Sequence, residues 1–291
     1  MSKFRFYDLR ERTSHDSINF LFPHWEFSEE RLAIFGAHDD DSILGAGYAM
    51  AAAMEASAEV FVVTFCKGDC GYSAPEQKDS IVEIRRAEHE SALIKFGIKK
   101  ENIKRFEYPD FSLGQFLGKE LQNGDDGTFL QVLDFIREKR ITRVMMHNNY
   151  REHTDHTAVY EIVISDVIQA GDAILADRGN PQHVKSYHQY SVWADFSPED
   201  ALTNNESNCF IRANRAIVCD ETIEEKVRLA ICEYASQGQI IDNLLISREE
   251  RRVFGGYVEL YIELDPRPKL DFAPYVRLIN EMNTKEKRIL L

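Results

Sequence analysis

The apolar run Leu32 to Phe35 stops within three residues at His38-Asp39-Asp40-Asp41, and an Ala-rich stretch, Ser42 to Ala58, leads on to a second apolar run, Val60 to Phe65. Short apolar runs bounded by polar residues read as buried strands, and the Ala-rich stretch reads as a helix despite Gly45 and Gly47. Strand, helix, strand in that order calls for a parallel sheet covered by helices. The alternation continues: a loop over Cys66 to Gln77, a helix over Asp79 to Phe96 stopped by Gly97, and a short strand over Ile103 to Phe106. A helix over Gly127 to Lys139, a strand over Thr142 to His147 and a helix over Asp155 to Ala170 follow. The fold expected is α/β, a Rossmann-like three-layer arrangement with a mostly parallel sheet and a smaller C-terminal lobe.

The flanks are less regular. Residues 1–30 carry Phe20, Phe22, Trp25 and Phe27 without a clear period and read as an N-terminal extension wrapping the domain. Residues 31–170 form the expected core. In residues 171–291, strand-like runs at Tyr187 to Trp193, Ala216 to Cys219 and Tyr257 to Leu264, with a helix from Thr222, read as a lid or second lobe completing the fold and the substrate pocket. Glu225 stands three residues after Thr222, the spacing of a capping box.

Composition removes several function classes. The chain of 291 residues is 44% hydrophobic, a globular balance, and no apolar stretch nears the roughly 18 residues of a membrane span. Its start, Met1-Ser2-Lys3-Phe4-Arg5-Phe6, leads into charge, so a cytoplasmic location is expected. Five cysteines (Cys66, Cys70, Cys209, Cys219, Cys232) are too sparse for a disulfide framework and read as reduced thiols. A net charge of −14 repels phosphate backbones, which argues against a nucleic-acid partner; the basic tail Lys285 to Arg288 is too short to change that.

The polar residues ending the central strands carry the chemistry. A second apolar run, Val144 to Met146, leads within ten residues to His153-Thr154-Asp155-His156. Ligands of open parallel sheets bind beyond the carboxyl ends of the strands, so the two segments are expected to converge. Catalytic zinc takes three imidazole or carboxylate ligands and keeps one position open, which His38, Asp41 and His156 satisfy. Asp40 and His153 then remain as a carboxylate able to take a proton from water and an imidazole able to stabilise an oxyanion or protonate a leaving amine. Asp155 is expected to orient a neighbouring histidine. Asp-rich turns are also common helix starts, but three consecutive carboxylates beside a histidine at a strand end are costly without a cation.

The run Ala37-His38-Asp39-Asp40-Asp41-Ser42-Ile43-Leu44-Gly45-Ala46-Gly47 resembles the AHPDDE-x-LGxGG signature of the LmbE-like, or PIG-L-type, N-acetylglucosaminyl de-N-acetylases, and His153-Thr154-Asp155-His156 resembles their HPDH. Thr64 to Asp69 is similar to the family's glycine-containing loop, Arg85-Arg86-Ala87-Glu88 to its RxxE helix, and Tyr234-Ala235-Ser236-Gln237 to a recurrent H/Y-x-SQ segment. The resemblance spans about residues 31–262. It implies zinc on His38, Asp41 and His156, Asp40 as general base, His153 on the tetrahedral intermediate and Arg85 on the sugar hydroxyls. For Arg85 an ion pair with Glu88 on the helix surface is the structural alternative. Asp39 replaces the family proline and Ser42 the family glutamate, giving a less rigid turn with an added charge.

The activity expected is zinc-dependent hydrolysis (Fe²⁺ being another acceptable ion) of the N-acetyl group of an N-acetylglucosamine-type conjugate. The partner is a small molecule, with a homo-oligomer compatible. A Mg²⁺-dependent phosphohydrolase would use oxygen ligands alone, against which His38 and His156 speak. A noncatalytic sugar-binding protein with a vestigial site is the rival from another class. Cys66 and Cys70 read as incidental thiols, and His15, His24, His89, His183 and His188 as surface or core histidines. Gly45-Ala46-Gly47 lacks the frame of a dinucleotide loop.

Overall fold

The computed structural model describes residues 2–27, 29–149, 152–192 and 212–289. In chain order the elements are β1 (Phe4–Asp8), β2 (Thr13–His15), β3 (Arg31–Gly36), α1 (Asp41–Glu55), β4 (Glu59–Cys66), α2 (Ile81–Phe96), β5 (Ile103–Tyr108), α3 (Thr128–Lys139) and β6 (Arg143–His147). They continue with α4 (Thr154–Ser165), β7 (Ser186–Tyr190), β8 (Arg215–Cys219), α5 (Glu221–Ile231), α6 (Gly238–Ser247), β9 (Arg252–Val253), β10 (Gly256–Leu264) and α7 (Ala273–Ile289).

One sheet runs β2-β1-β8-β10-β7-β6-β3-β4-β5, with β9 on β10. The α/β architecture is the expected one, but parallel pairing covers the run β5-β4-β3-β6-β7, while every pair from β7 outward through β10, β8, β1 and β2 is antiparallel. Alternate side chains of the parallel strands feed two cores. Leu32, Ile34, Val60, Val62 and Met145 pack with α1, α2 and α5 on one face. Ala33, Phe35, Phe61, Val63, Val144 and Met146 pack with α3 and α4 on the other. Near-continuous apolar runs are the mark of strands covered on both faces.

The flanks differ from their sequence reading. The first thirty residues do not merely wrap: β1 and β2 form a sheet edge, with Phe4 and Phe6 buried beside Phe22 and Trp25. The C-terminal strands β8 and β10 likewise extend the central sheet. The expected strand from Tyr187 ends at Tyr190, Trp193 and Cys209 lying outside the described residues. The helix expected to reach Ala170 stops at Ser165 and continues as a 3₁₀ turn. Asp220, not Thr222, caps α5, accepting the Thr222 and Ile223 amides at 3.1 Å each. Helix α7 has no counterpart in the sequence reading, and Phe272, Tyr275, Val276, Ile279 and Met282 on it or beside it are all more than half exposed. Among the described residues no helix is long and apolar enough to cross a membrane.

Gly45 and Gly47 have a packing reason. Helix α1 kinks at Ala46, and the freed Tyr48 amide donates to Glu259 Oε2 of β10 at 2.8 Å. A Cβ on Gly45 would overlap the Tyr190 ring of β7 and lie 3.0 Å from the Ser191 carbonyl. Gly45→Ala is therefore expected to destabilise the protein by about 1–3 kcal/mol through overpacking, read as a lower denaturation midpoint at unchanged m-value.

Candidate metal centre

Strands β3 and β6 are neighbours, and the chain winds from β3 through β4 to β5 on one side and from β6 to β7 on the other. Their carboxyl ends mark the topological switch point, where the diverging connections leave a crevice. The loop from β3 into α1 delivers His38 to Asp41, and the loop from β6 into α4 delivers Glu152 to His156.

His38, Asp41 and His156 converge, with ligand atoms within 4.8 Å of one another. His156 Nε2 lies 3.3 Å from His38 Nδ1 and 3.4 Å from Asp41 Oδ1, and His38 Nδ1 lies 3.5 Å from Asp41 Oδ2. Each imidazole is held from behind by a carboxylate. Glu152 Oε2 meets His156 Nδ1 at 3.1 Å, and Asp155 Oδ2 meets His38 Nε2 at 3.5 Å. Outer carboxylates of this kind place the ring proton on the far nitrogen and turn the other lone pair inward. Two imidazole lone pairs facing each other across a carboxylate repel unless a cation lies between them, so the donor set fits a divalent ion of the zinc type. The His38 side chain is 17% exposed while those of Asp41 and His156 are 3% and 1% exposed, so the centre opens past His38.

Burial alone would depress both histidines. Hydrogen bonds to Asp155 and Asp41 instead push His38 up to about 10, and the charge and hydrogen bond of Asp41, with Glu152, push His156 up to about 9. His147, which sequence reasoning leaves as a strand residue, ends β6 with Nε2 3.0 Å from Asp41 Oδ2 and 3.1 Å from the Ala37 amide. Burial, reinforced by His156, lowers it to about 4.

Asp40 stands at the N-cap position of α1, next to Asp41 in the chain, and its Oδ1 accepts from Arg85 Nη2 at 3.3 Å. The Arg85 guanidinium also donates from Nε to Asp39 Oδ2 at 3.1 Å, and Arg105 of β5 pairs with the other Asp39 oxygen. Asp39 is wholly buried, and the charge added where the family signature carries proline is thus answered by two arginines. The helix-surface pair of Arg85 with Glu88 does not form. Arg85 is buried on the two aspartates, and Glu88 accepts the Ser236 amide and hydroxyl at 2.7 Å each. Tyr234 donates to the Asp39 carbonyl at 2.7 Å, and His89 meets the same oxygen at 2.7 Å, a core role. The Tyr-x-Ser-Gln segment therefore clamps the loop after β3. Ser42 Oγ has no hydrogen-bond partner among the described residues.

His153 caps α4, its Nδ1 accepting the Asp155 amide at 3.1 Å, which leaves Nε2–H as the donor of the neutral ring. Burial, then the charges of His38 and His156, lower its pKa. Asp155 lies closer to His38 than to His153, 3.5 against 3.8 Å, and accepts the Phe111 and Leu113 amides at 2.6 and 3.2 Å. The neighbour it orients is thus primarily His38. Sequence reasoning misses Glu152 and His147 because neither belongs to a motif; position at the end of a switch-point strand is the one available signal for His147.

Two consequences are measurable. The raised His38 and His156 stabilise the metal-free protein below the unfolded-state value of about 6.5, and that stability is lost as pH rises through 9 and 10. Thermal melts of chelator-treated protein from pH 6 to 10.5 should fall across this window, and loading with zinc should flatten the fall. Arg105→Gln should cost about 3–5 kcal/mol by leaving Asp39 short of a partner. Adding Asp39→Asn should recover part of that loss in a double-mutant cycle followed by urea unfolding.

Residues 33–167 match the PIG-L family model, described as GlcNAc-PI de-N-acetylase. A search of curated proteins gives no match. Among solved structures, the chain is similar to the conserved protein TT1542 of Thermus thermophilus (19% identity, 83% of this chain and 98% of that one, TM-score 0.59). It is similar to N,N'-diacetylchitobiose deacetylase of Pyrococcus horikoshii (16%, 81% and 84%, TM-score 0.59). It is also similar to GalB, the 4-carboxy-2-hydroxymuconate hydratase of Pseudomonas putida (17%, 84% and 100%, TM-score 0.62). At these identities the structural likeness establishes the fold, and the family match together with the strand-end motifs places residues 33–167 in the PIG-L, or LmbE-like, family.

Proposed function

We propose that this chain is a zinc-dependent N-deacetylase that releases acetate from an N-acetylglucosamine-type sugar conjugate. The observation carrying the reading is the inward-facing set His38, Asp41 and His156, each imidazole backed by its own carboxylate. The family description and the diacetylchitobiose deacetylase among the structural neighbours support amide hydrolysis of amino sugars. GalB shares the fold and is a hydratase, so the fold alone does not choose the reaction.

His38, Asp41 and His156 would hold the ion. When bound, it supplies Lewis-acid polarisation of the acetamide carbonyl and activation of water near neutral pH. Asp40 takes the proton of the attacking water and passes it to the leaving nitrogen. Arg85 fixes the Asp40 carboxylate in place through Nη2. His153 donates its Nε2–H to the oxyanion, its ring locked by the Asp155 amide on Nδ1. Collapse of the tetrahedral intermediate breaks the C–N bond and yields acetate and the free amine. Arg85, committed to two aspartates, would reach a sugar hydroxyl only with donors left over from those pairs. A cytoplasmic setting is part of the proposal, since five cysteines in 291 residues are too sparse for a disulfide framework. Two imidazole donors favour zinc over the magnesium of a phosphohydrolase.

Asp40→Asn is expected to lower acetate release from N-acetylglucosaminides by about 10²–10⁴-fold while zinc per chain stays at the wild-type value. His156→Ala should lose the metal itself, measured by elemental analysis after dialysis. Acetate release by wild type at background level from every N-acetylglucosaminide tried would defeat the proposal.

A further inference from the structure

Phe111 is 64% exposed, yet it stands at the mouth of the candidate centre with its ring centroid 4.4 Å from that of His153. Its φ of 59° lies in the left-handed region, where a bulky residue is strained. Such strain persists only where the surroundings fix the backbone, and here they do. The Phe111 and Leu113 amides donate to Asp155, and Asp110 accepts the Gly68 and Cys70 amides at 2.9 and 3.0 Å and donates its own amide to Asp69 at 2.8 Å. A large aromatic ring is thus held out to solvent on a strained loop whose amides grip Asp155, the carboxylate that meets His38. An exposed phenylalanine contributes nothing to the core, and glycine would fit the backbone better.

We propose that Phe111 is the stacking platform for the apolar C–H face of a pyranose ring, fixing the sugar beside His153 while its acetamide enters the centre. The inference rests on the deacetylase reading and names the part of the substrate that selects it. Aromatic rings present a broad apolar, π-rich face at small entropy cost, which suits the C–H face of a hexose. Ring and loop effects are separable because glycine tolerates the left-handed backbone.

The test compares wild type, Phe111→Gly and Phe111→Trp, all zinc-loaded, by titration with methyl glucosaminide, which has no acyl group to lose, and separately with acetate. Loss of the ring should weaken glucosaminide binding about 3- to 10-fold and leave acetate binding unchanged. Tryptophan should stay within about twofold of wild type. Equal glucosaminide affinity in Phe111→Gly and wild type, or no binding by wild type, overturns the platform. A parallel loss of acetate affinity also overturns it, since that would mark Phe111 as a prop for His153. Absence of acetate release from every N-acetylhexosaminide, with the ring-dependent affinity intact, would instead remove the hydrolase reading and leave the platform standing.

Discussion

The carboxylate of Asp41 is the point through which the three parts of the centre are joined. Its Oδ2 accepts the His38 amide at 2.6 Å and faces His147 at the end of β6, while Oδ1 faces His156 on α4. Burial would raise its pKa, but His156 and His147 hold it well below the usual carboxylate range. Its place in the first turn of α1 adds the favourable end of the helix dipole. A buried anion of this kind is tolerable only where several donors or cations face it, so it dictates that the ends of β3 and β6 lie side by side. The switch point and the candidate metal centre are therefore two descriptions of one constraint.

Around it the chain uses distant segments to hold short loops. Arg85 of α2 and Arg105 of β5 neutralise Asp39, and Tyr234 and Gln237, far along the sequence, fasten the Asp39 carbonyl and the Gly71 carbonyl. Gly68 and Gly71 lie against the Arg85 side chain, where a Cβ would come within 2.8 and 3.0 Å of its Cδ. The 68–71 loop, the arginine and the aspartates form one packed unit. A proline at position 39 would stiffen the turn covalently; here an ionic lock performs that task, and its partners lie on elements the turn itself does not touch in sequence.

That distinction explains what could be read from the sequence. The central strands, α1 to α4 and the grouping of His38, Asp41 and His156 were legible because apolar periodicity and strand-end polar residues are local signals. The real partners of Arg85 were not. An i, i+3 pairing with Glu88 is the local expectation, whereas burial on Asp39 and Asp40 depends on how α2 packs across the sheet. Strand β1 escapes a sequence reading because five residues with only Phe4 and Phe6 alternating inward give too short a pattern. The antiparallel half of the sheet has no sequence signature distinguishing it from a separate lobe. Helix α7 shows an apolar stripe, but its large apolar residues lie exposed and no motif announces it.

The electrostatics of the centre tie its two protonation states to its chemistry. Asp39, Asp40, Asp41, Glu152 and Asp155 face Arg85 and Arg105 as the permanent cations, leaving an excess of negative charge around His38 and His156. The elevated pKa values of those two histidines are the response of the protein to that excess, with proton uptake offsetting part of the charge that a divalent ion would offset. A metal would compete with protons for the same lone pairs, and its binding would release them. His153 feels the same charges: burial, then His38 and His156, lower its pKa, and with Nδ1 taken by the Asp155 amide the neutral ring has its Nε2–H left as a donor beside the centre.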